Sequence, residues 1–407
     1  MIYSLYLILI LAGLPFFSAI PVILFPESEI SFLNIFRLSV VILSIILFLK
    51  TLLQKNHILR SKKLIPLYLF LILYVFRLIH DLFISPIQLY YDGDDETVRN
   101  SMFYILQFFG IVFIPIFGTL SLNLKKINYE LVFKITYAII YLALLISIFN
   151  QYQNPDLSSL RSTGSLTVSV LLYGHFGVSL ILLSIYKFIR NRRLYVNIIL
   201  LSGMVIGLIS LSVSGSRSPV IALLAGVIFI LYSRYSKLKS SLILCLFTII
   251  LYFFGIYFAQ IINLYFPNIL FERLIYAYEF LAITDQARNQ YLIDGIREFY
   301  QNPLFGNGFL LTSYNSQGSY PHNLIIESFM ATGIFGGSLF TYLVLKTLFL
   351  AQKFSQSDSA WLCILFIQFF FFGMFSGNLF SSFLFWNLLI LINSMNIRDN
   401  YKLLDSK

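Results

Sequence analysis

Long apolar blocks that are almost free of charge recur along the whole chain, and they constrain its fold more than any other feature. Most are about 18–25 residues long, the length that a helix needs to cross a hydrocarbon layer of roughly 30 Å. Inside lipid every backbone N–H and C=O group needs an internal partner, and a long block satisfies that as a helix. Twelve spans can be drawn, at about 2–24, 35–53, 64–84, 101–121, 131–150, 166–189, 195–213, 219–233, 241–265, 322–350, 361–377 and 379–394.

The charge content excludes an ordinary soluble protein. Only 11% of the 407 residues are charged and 58% are hydrophobic, whereas soluble domains carry about 25% charged residues. The blocks also lack the period-two alternation of barrel strands. We therefore predict an all-α polytopic membrane bundle of about 12 transmembrane helices, with eleven as the alternative count, forming a single membrane domain over residues 1–407.

The basic residues predict an orientation in the membrane. Eighteen of the 28 Lys and Arg residues fall in one alternating set of loops and tails, and six fall in the opposite set. The positive-inside rule assigns the first set, and with it both termini, to the cytoplasm. The net charge of +10 thus reflects topology, and we expect membrane lipids rather than nucleic acid as partners. The six outer basic residues are all arginines: Arg99, Arg161, Arg217, Arg273, Arg288 and Arg297.

An all-arginine outer face suggests phosphate binding, although chance is the competing explanation. The guanidinium group is a planar fork that can hold two phosphate oxygens at once, which the lysine ammonium cannot do. Arg217 stands in the segment Ser214–Pro219, where Pro219 suits the first turn of the next helix. A helix N-terminus favours anions, but a polar turn with a snorkelling arginine is the alternative.

One outer loop is long, from about Phe266 to Pro321, and we predict that it forms a lid over a membrane cavity. Its segment Asp285–Tyr300 has the pattern of an amphipathic helix, with apolar residues on one side (Leu292, Ile293, Ile296 and Phe299). Arg288 and Arg297 are two and a half turns apart, so they do not share a face. Arg297 could instead pair with Asp294, Glu298 or lipid headgroups.

His322 is the single histidine predicted on the outer side, at the start of the tenth span. A histidine at a membrane boundary can act as a base near neutral pH, and a structural role is the alternative. Glu327 follows within the membrane, where an ionisable residue is a candidate functional residue. It could orient His322 or pair with an arginine.

Two other charged groups carry open interpretations. The outer run Asp92–Glu96 could bind a divalent metal or supply a catalytic base, or it could be a solvated loop. In the third span Arg77 and Asp81 are spaced to pair on one helix face, beside His80. That group could line a proton path in a transporter or neutralise itself. No P-loop, HExxH, GxSxG, CxxC or suitably placed GxGxxG motif occurs, so we expect no nucleotide or flavin cofactor.

Three segments, in this order, resemble the O-antigen polymerase and ligase superfamily of bacterial envelope glycan assembly. They are Ser214–Arg217, then Arg288 with Asn302–Phe309, then His322–Asn323 with Glu327 and Thr332–Gly336. The likeness covers about residues 200–345, and Arg161–Gly164 is a faint further match. Each segment alone is weakly specific, and their order and shared outer face carry the resemblance.

The resemblance implies transfer of a glycan from a polyprenyl diphosphate carrier to a sugar hydroxyl, on the periplasmic face of the bacterial inner membrane. Arg217 and Arg288 would bind the diphosphate and His322 would activate the hydroxyl, in an inverting, metal-independent reaction. We expect substrate contacts from Arg161, Arg273, Arg297, Asn323 and Glu327. The implied partners are the carrier-linked donor and acceptor, and a chain-length regulator.

Several functions remain open at this stage. We favour a repeat-unit polymerase because two lipid diphosphates would use more outer arginines than one. The first alternative is a ligase that transfers the glycan to lipid A-core. The second is a flippase or other transporter of lipid-linked oligosaccharides, which would place charges through the membrane midplane and show pseudo-symmetric halves.

Overall fold

The computed structural model describes residues 1–24, 32–54, 61–84, 101–153, 166, 168–235, 239–241, 277–313 and 316–405. This part of the chain is built from helices and their connections, as the apolar blocks predict. Thirteen α-helices lie within it: α1 Ile2–Leu24, α2 Leu33–Leu53, α3 Ile65–Ile79, α4 Ser101–Gln107, α5 Ile114–Leu120, α6 Tyr129–Gln153, α7 Val170–Arg190, α8 Leu194–Ser214, α9 Arg217–Arg234, α10 Ala277–Gln301, α11 Leu324–Phe354, α12 Ala360–Phe375 and α13 Phe383–Asp405.

The predicted membrane spans are largely present as helices. Nine segments of the described chain are long and apolar enough to cross a membrane, and two shorter apolar helices follow at Ala360–Phe375 and Phe383–Asn396. The predicted span at 241–265 lies outside the described residues. The polytopic helical membrane fold is therefore confirmed, while the total of eleven or twelve spans and the predicted topology stay predictions.

Two spans contain π-helical turns. α3 continues through a π turn at His80–Ile84, and the α4–α5 span is joined by another at Phe108–Phe113. A π turn inserts one residue into the helical ladder and is frequent at functional positions. The first of these turns contains Asp81, whose carboxylate is almost fully buried.

The described contacts divide the chain into two compact units, each made of separate segments. The first unit comprises residues 1–40, 123–277 and 351–372. Its helix α7 packs against α8 at short distance because both carry glycines at the contact. A Cβ atom placed on Gly177 would lie 2.7 Å from the carbonyl oxygen of Gly207. Small residues that let helix backbones approach closely are typical of membrane bundles.

The second unit comprises residues 41–122, 278–350 and 373–407. Its core is aromatic. The ring of Phe70 in α3 lies 5.1 Å from that of Phe340 in α11 and 5.8 Å from that of Trp386 in α13. All three side chains are fully buried. This aromatic packing joins three helices of the unit that carries the predicted lid and His322.

Helix α11 is broken in its N-terminal third. Gly333 has φ +64° and ψ −164°, a combination that is essentially restricted to glycine. A Cβ atom at this position would lie 2.2 Å from the carbonyl oxygen of Leu304. Glycine is therefore required twice, once for its backbone angles and once for space, and the break allows the segment after α10 to approach the α11 backbone.

Candidate active site

The predicted lid helix is present as α10, and it is longer than the sequence pattern indicates. The prediction was Asp285–Tyr300, whereas the helix runs from Ala277 to Gln301. Its buried face is the polar one. Asp294 and Glu298 are 1% and 0% exposed, while Ile293 and Ile296 are 48% and 38% exposed. Ile293 and Ile296 thus lie on the outside of this unit, while Leu292 and Phe299 are half-buried.

The two buried carboxylates fold the following loop onto α10. Glu298 accepts hydrogen bonds from the backbone N–H groups of Thr312 and Ser313, from the Thr312 hydroxyl and from the Asn307 amide. Asp294 accepts from the Ser316 hydroxyl at 2.8 Å. Buried carboxylates are stable only when such donors satisfy them. Helix α10 and this loop therefore form one folded piece.

Arg297 forms an ion pair with Asp294, which is one of the partners predicted for it. Its guanidinium group lies 2.8 Å from the Asp294 carboxylate, and its side chain is 59% exposed. The predicted contact with substrate stays a prediction. Arg288 lies on the same helix and, within the described part of the chain, makes neither a hydrogen bond nor an ion pair. Its guanidinium group is therefore the better placed of the two to bind a phosphate.

His322 has an unusual backbone conformation. Its φ is +54°, and it is the single non-glycine residue with positive φ among the described residues. Histidine adopts this region more readily than most residues, but it remains uncommon and is enriched at functional sites. The imidazole is half-buried, with the ring of Tyr320 4.3 Å and the ring of Tyr291 5.9 Å away, centroid to centroid.

The groups around His322 determine both the tautomer and the pKa of its imidazole. Nδ1 lies 3.4 Å from the carbonyl oxygen of Ser376. Because a carbonyl can only accept, Nδ1 carries the proton and Nε2 keeps its lone pair. Burial and, secondly, the positive charge of Arg288 lower the pKa of His322 to about 4, against a smaller opposite effect of the Ser376 carbonyl. A neutral imidazole with a free lone pair and a nearby guanidinium group can accept a proton beside a bound anion.

Asn323 and Glu327 hold the start of α11. The Asn323 side-chain oxygen accepts from the backbone N–H groups of Ile325 and Ile326, each at 3.1 Å, which is an N-terminal helix cap. Glu327 is fully buried, and its carboxylate accepts from the backbone N–H of Leu379. Among the described residues it forms no ion pair with an arginine. Both residues therefore position the helix that follows His322.

Arg217 belongs to the first unit and is the first residue of α9. The turn before it requires Gly215, whose φ is +56°. Helix α7 packs directly on this turn, since a Cβ atom on Gly174 would lie 2.6 Å from the Ser214 hydroxyl. The next α7 residue, His175, places Nε2 3.4 Å from the hydroxyl of Ser218. The predicted placement of Pro219 in the first helical turn is confirmed.

The remaining predicted residues divide as follows. Arg288, Arg297, His322, Asn323 and Glu327 all lie in the second unit. Arg161, Arg273 and the acidic run at 92–96 lie outside the described residues. The convergence of Arg217 with Arg288 and His322 stays a prediction, as do the catalytic and substrate-binding roles.

Sequence reasoning missed Tyr291 and Tyr320, which flank His322. The signal for Tyr320 was its place two residues before the histidine, but aromatic residues are too frequent in this chain to single it out. Tyr291 is one turn after Arg288 on α10, and only the folded lid brings it to His322. The cap formed by Asn323 did have a signal, because asparagine before an apolar helical run is a typical N-cap.

Comparison with known families gives one match. A protein-family model described as O-antigen ligase matches residues 202–341, about a third of the chain. The matched segment contains Arg217, Arg288, His322 and Glu327, and the family includes both polymerases and ligases. No curated protein matches the chain. The chain is thus a multi-pass membrane protein in which residues 202–341 are similar to this family.

Proposed function

We propose that the protein is an inverting, metal-independent glycosyltransferase that polymerises polyprenyl-diphosphate-linked repeat units of O-antigen or a related surface polysaccharide. In this proposal it acts on the periplasmic face of the inner membrane, with both termini in the cytoplasm. The substrates are a carrier-linked donor and a carrier-linked acceptor, and a chain-length regulator is a further partner. The proposal uses no cofactor, because the leaving group is already a lipid diphosphate.

One observation carries the proposal: helix α10, which carries Arg288, lies against His322, since the ring of Tyr291 one turn after Arg288 is 5.9 Å from the imidazole, and the positive charge of Arg288 contributes to the low pKa of His322. Arg288 supplies the fork that a diphosphate oxygen pair requires. His322 supplies a lone pair on Nε2. A group that binds the leaving anion and a group that takes the hydroxyl proton are the two parts that glycosyl transfer from a diphosphate needs.

The reaction then follows a single displacement. The acceptor hydroxyl oxygen attacks the anomeric carbon of the donor, and its proton passes to Nε2 of His322. The bond between the anomeric carbon and the diphosphate oxygen breaks, so the carrier diphosphate leaves with the bonding electron pair. Arg288 binds the charge that develops on that oxygen, and the diphosphate contact of Arg217 stays a prediction. Preorganised positive charge at a departing anion is commonly the largest catalytic contribution.

Donor binding would also activate the base. In the free protein the charge of Arg288 contributes to the low pKa of His322. A bound diphosphate would compensate that charge, and the pKa of His322 would rise because a nearby anion favours the imidazolium ion. The imidazole would thus become a stronger base when the donor is in place.

The second candidate function is ligation of the finished glycan to lipid A-core, and the description of the matching family favours it. Donor chemistry is the same in both reactions, so Arg288 and His322 keep their proposed roles. Only the acceptor differs.

The banding pattern of surface glycan in a strain lacking the gene tests the proposal. Loss of a polymerase leaves single repeat units on the core. Loss of a ligase leaves no units on the core while carrier-linked polymer still forms, and loss of a flippase leaves carrier-linked single units on the cytoplasmic face. We expect the first pattern, and either of the others would replace the proposed function.

A further inference from the structure

Arg77 uses every donor of its guanidinium group in hydrogen bonds. A guanidinium group has five N–H donors, and all five are used. Nε donates to the carbonyl of Ala331 at 2.9 Å, Nη1 to Asp81 and to the carbonyl of Asn307, and Nη2 to the carbonyls of Phe305 and Gly306. Its side chain is only 13% exposed. Arg77 therefore has no donor left for a substrate phosphate.

Asp81 completes the contact from the same helical segment. One carboxylate oxygen pairs with Arg77 at 3.1 Å and lies 2.9 Å from His80 Nδ1. The other oxygen accepts the backbone N–H of Phe309 at 2.9 Å. The two side chains thus bind one backbone segment in complementary ways. Arg77 donates hydrogen bonds to the carbonyl groups of residues 305–307, and Asp81 accepts one from the N–H group of residue 309.

That segment supplies hydrogen-bond partners for backbone groups that the break in α11 leaves unpaired. In an unbroken helix the N–H of Ile334 would donate to the carbonyl of Met330. Here the Met330 carbonyl accepts from the Asn307 N–H at 2.8 Å, and the Ile334 N–H donates to the Pro303 carbonyl at 2.8 Å. Arg77 serves the next carbonyl, that of Ala331. Backbone groups freed inside a membrane protein need such replacement partners.

The contact leaves no room for adjustment. Gly306 has φ +79°, and a Cβ atom there would lie 2.5 Å from the carbonyl carbon of Ala331. Likewise, a Cβ atom on Gly333 of α11 would lie too close to the backbone of Leu304 in the segment. The two glycines thus place the segment directly against the helix backbone at the point where Arg77 binds both.

We propose that Arg77 and Asp81 form a positioning clamp, which fixes the segment Pro303–Phe309 to the break in α11 and so sets where helix α10 presents Arg288 relative to His322. The connection is continuous in the chain. The clamped segment begins two residues after the end of α10 at Gln301. Its continuation at Thr312 and Ser316 is hydrogen-bonded back to α10 through Glu298 and Asp294. Arg77 and Asp81 are positioning residues in this inference, which rests on the proposed function for its catalytic consequence.

The clamp interpretation gives Arg77 a role beyond the two interpretations that the sequence left open for this group. Arg77 does pair with Asp81, but it binds four backbone carbonyls as well, which simple neutralisation would not require. A proton path would need a group that can release and regain a proton during turnover. Arginine keeps its proton in proteins, and every N–H of Arg77 is engaged.

Hydrogen exchange of the purified full-length protein in nanodiscs tests the clamp directly. Lysine has three donors on a tetrahedral head, so Arg77→Lys cannot satisfy the four carbonyls and Asp81 together. We expect the backbone amides of residues 303–313 to exchange at least tenfold faster in this variant. Arg37→Lys is the matched control, because the Arg37 side chain donates to a single nearby side chain, that of Asn34, and it should leave this exchange unchanged.

A second readout separates positioning from simple stability. Because Arg288 helps to keep the pKa of His322 low, displacement of α10 in Arg77→Lys should raise that pKa, which nuclear magnetic resonance of the histidine ring measures. The His322→Asn variant assigns the signal. Exchange within twofold of wild type together with an unchanged His322 titration would overturn the clamp.

Asp81→Asn covers the case in which Arg77→Lys does not fold. It keeps the side-chain shape but removes the charge that pairs with Arg77, and we expect the same amides to exchange at least fivefold faster. Wild-type exchange in a folded Asp81→Asn protein would also overturn the clamp. Neither readout depends on transfer activity. Faster exchange with intact transfer in Arg288 variants would therefore uphold the clamp and reject the proposed function.

Discussion

At the scale of single residues, His322 joins an uncommon backbone conformation to the chemistry proposed for it. Its positive φ turns the chain immediately before the cap of α11, and its imidazole meets Tyr320, Tyr291 and the Ser376 carbonyl. Strained backbone conformations, such as a positive φ in a residue other than glycine, cluster at functional sites. Two predictions follow from this position.

The first concerns His322→Asn. Asparagine tolerates positive φ, so the variant should fold, while the proton acceptor is lost. Transfer should fall by about 10²–10⁴-fold, the usual contribution of a positioned acid or base. Transfer by purified protein measures the effect. His57→Asn, in the predicted cytoplasmic loop, is the matched control, and equal activity of both variants would remove His322 from the mechanism.

The second concerns stability against pH. The pKa of His322 is about 4 in the folded protein, against an ordinary value of 6.5. Between these values the unfolded chain binds more protons, so the stability contributed by His322 rises with pH across this window and is lost as the pH falls through it. We expect the difference in melting temperature between pH 7.5 and pH 5 to be smaller in His322→Asn than in wild type. An identical difference would show that His322 titrates normally.

At the scale of elements, the break in α11 depends on Gly333. Gly333→Ala should be strongly destabilising, by about 3 kcal/mol or more, because the new methyl group meets the Leu304 backbone and the angles at Gly333 are essentially restricted to glycine. Thermal unfolding in detergent measures it.

Gly110→Ala is the matched control for that substitution. No atom lies within 4 Å of a Cβ placed on Gly110, so the added methyl group should have little effect on the melting temperature. If both variants have the melting temperature of the wild type, the break in α11 does not require glycine at position 333.

The lid helix gives a separate prediction at Glu298. Glu298→Gln replaces an acceptor-only carboxylate with an amide, and its NH₂ group faces a donor in either orientation: Thr312 and Ser313 at the Oε1 position, or the Asn307 amide at the Oε2 position. Leaving such a buried donor without an acceptor costs about 1–3 kcal/mol. Thermal unfolding should show this loss. Glu130→Gln is the control, because that carboxylate is 54% exposed and pairs with lysines near the surface, where a pair contributes about 0–1 kcal/mol.

At the scale of the whole molecule, the sequence predicted the helical membrane fold because lipid imposes it locally. Each apolar block must be a helix whatever its neighbours are, so spans such as 2–24 and 195–213 were found almost to the residue. The order of Arg217, Arg288 and His322 along the chain was likewise readable, and the family match at 202–341 covers all three.

What the sequence could not predict depends on contacts between distant segments. The pattern of α10 marks an apolar side, yet its carboxylates are buried, because their partners lie in the loop after the helix. Arg77 and Asp81 read as a simple i, i+4 pair, since nothing local shows that the segment after α10 lies against them. Periodicity reports the faces of one helix but not which face its partners cover.

We propose that one chain transfers glycan from a lipid diphosphate by means of the Arg288 fork. Purified protein in liposomes, given carrier-linked repeat units, EDTA and no nucleotide, tests it most directly by gel analysis of the products. We predict polymer from wild type and at least a hundredfold less from folded Arg288→Lys, which keeps the charge but loses the fork. Near-normal polymer from Arg288→Lys, or none from wild type until a divalent metal is restored, would contradict the account.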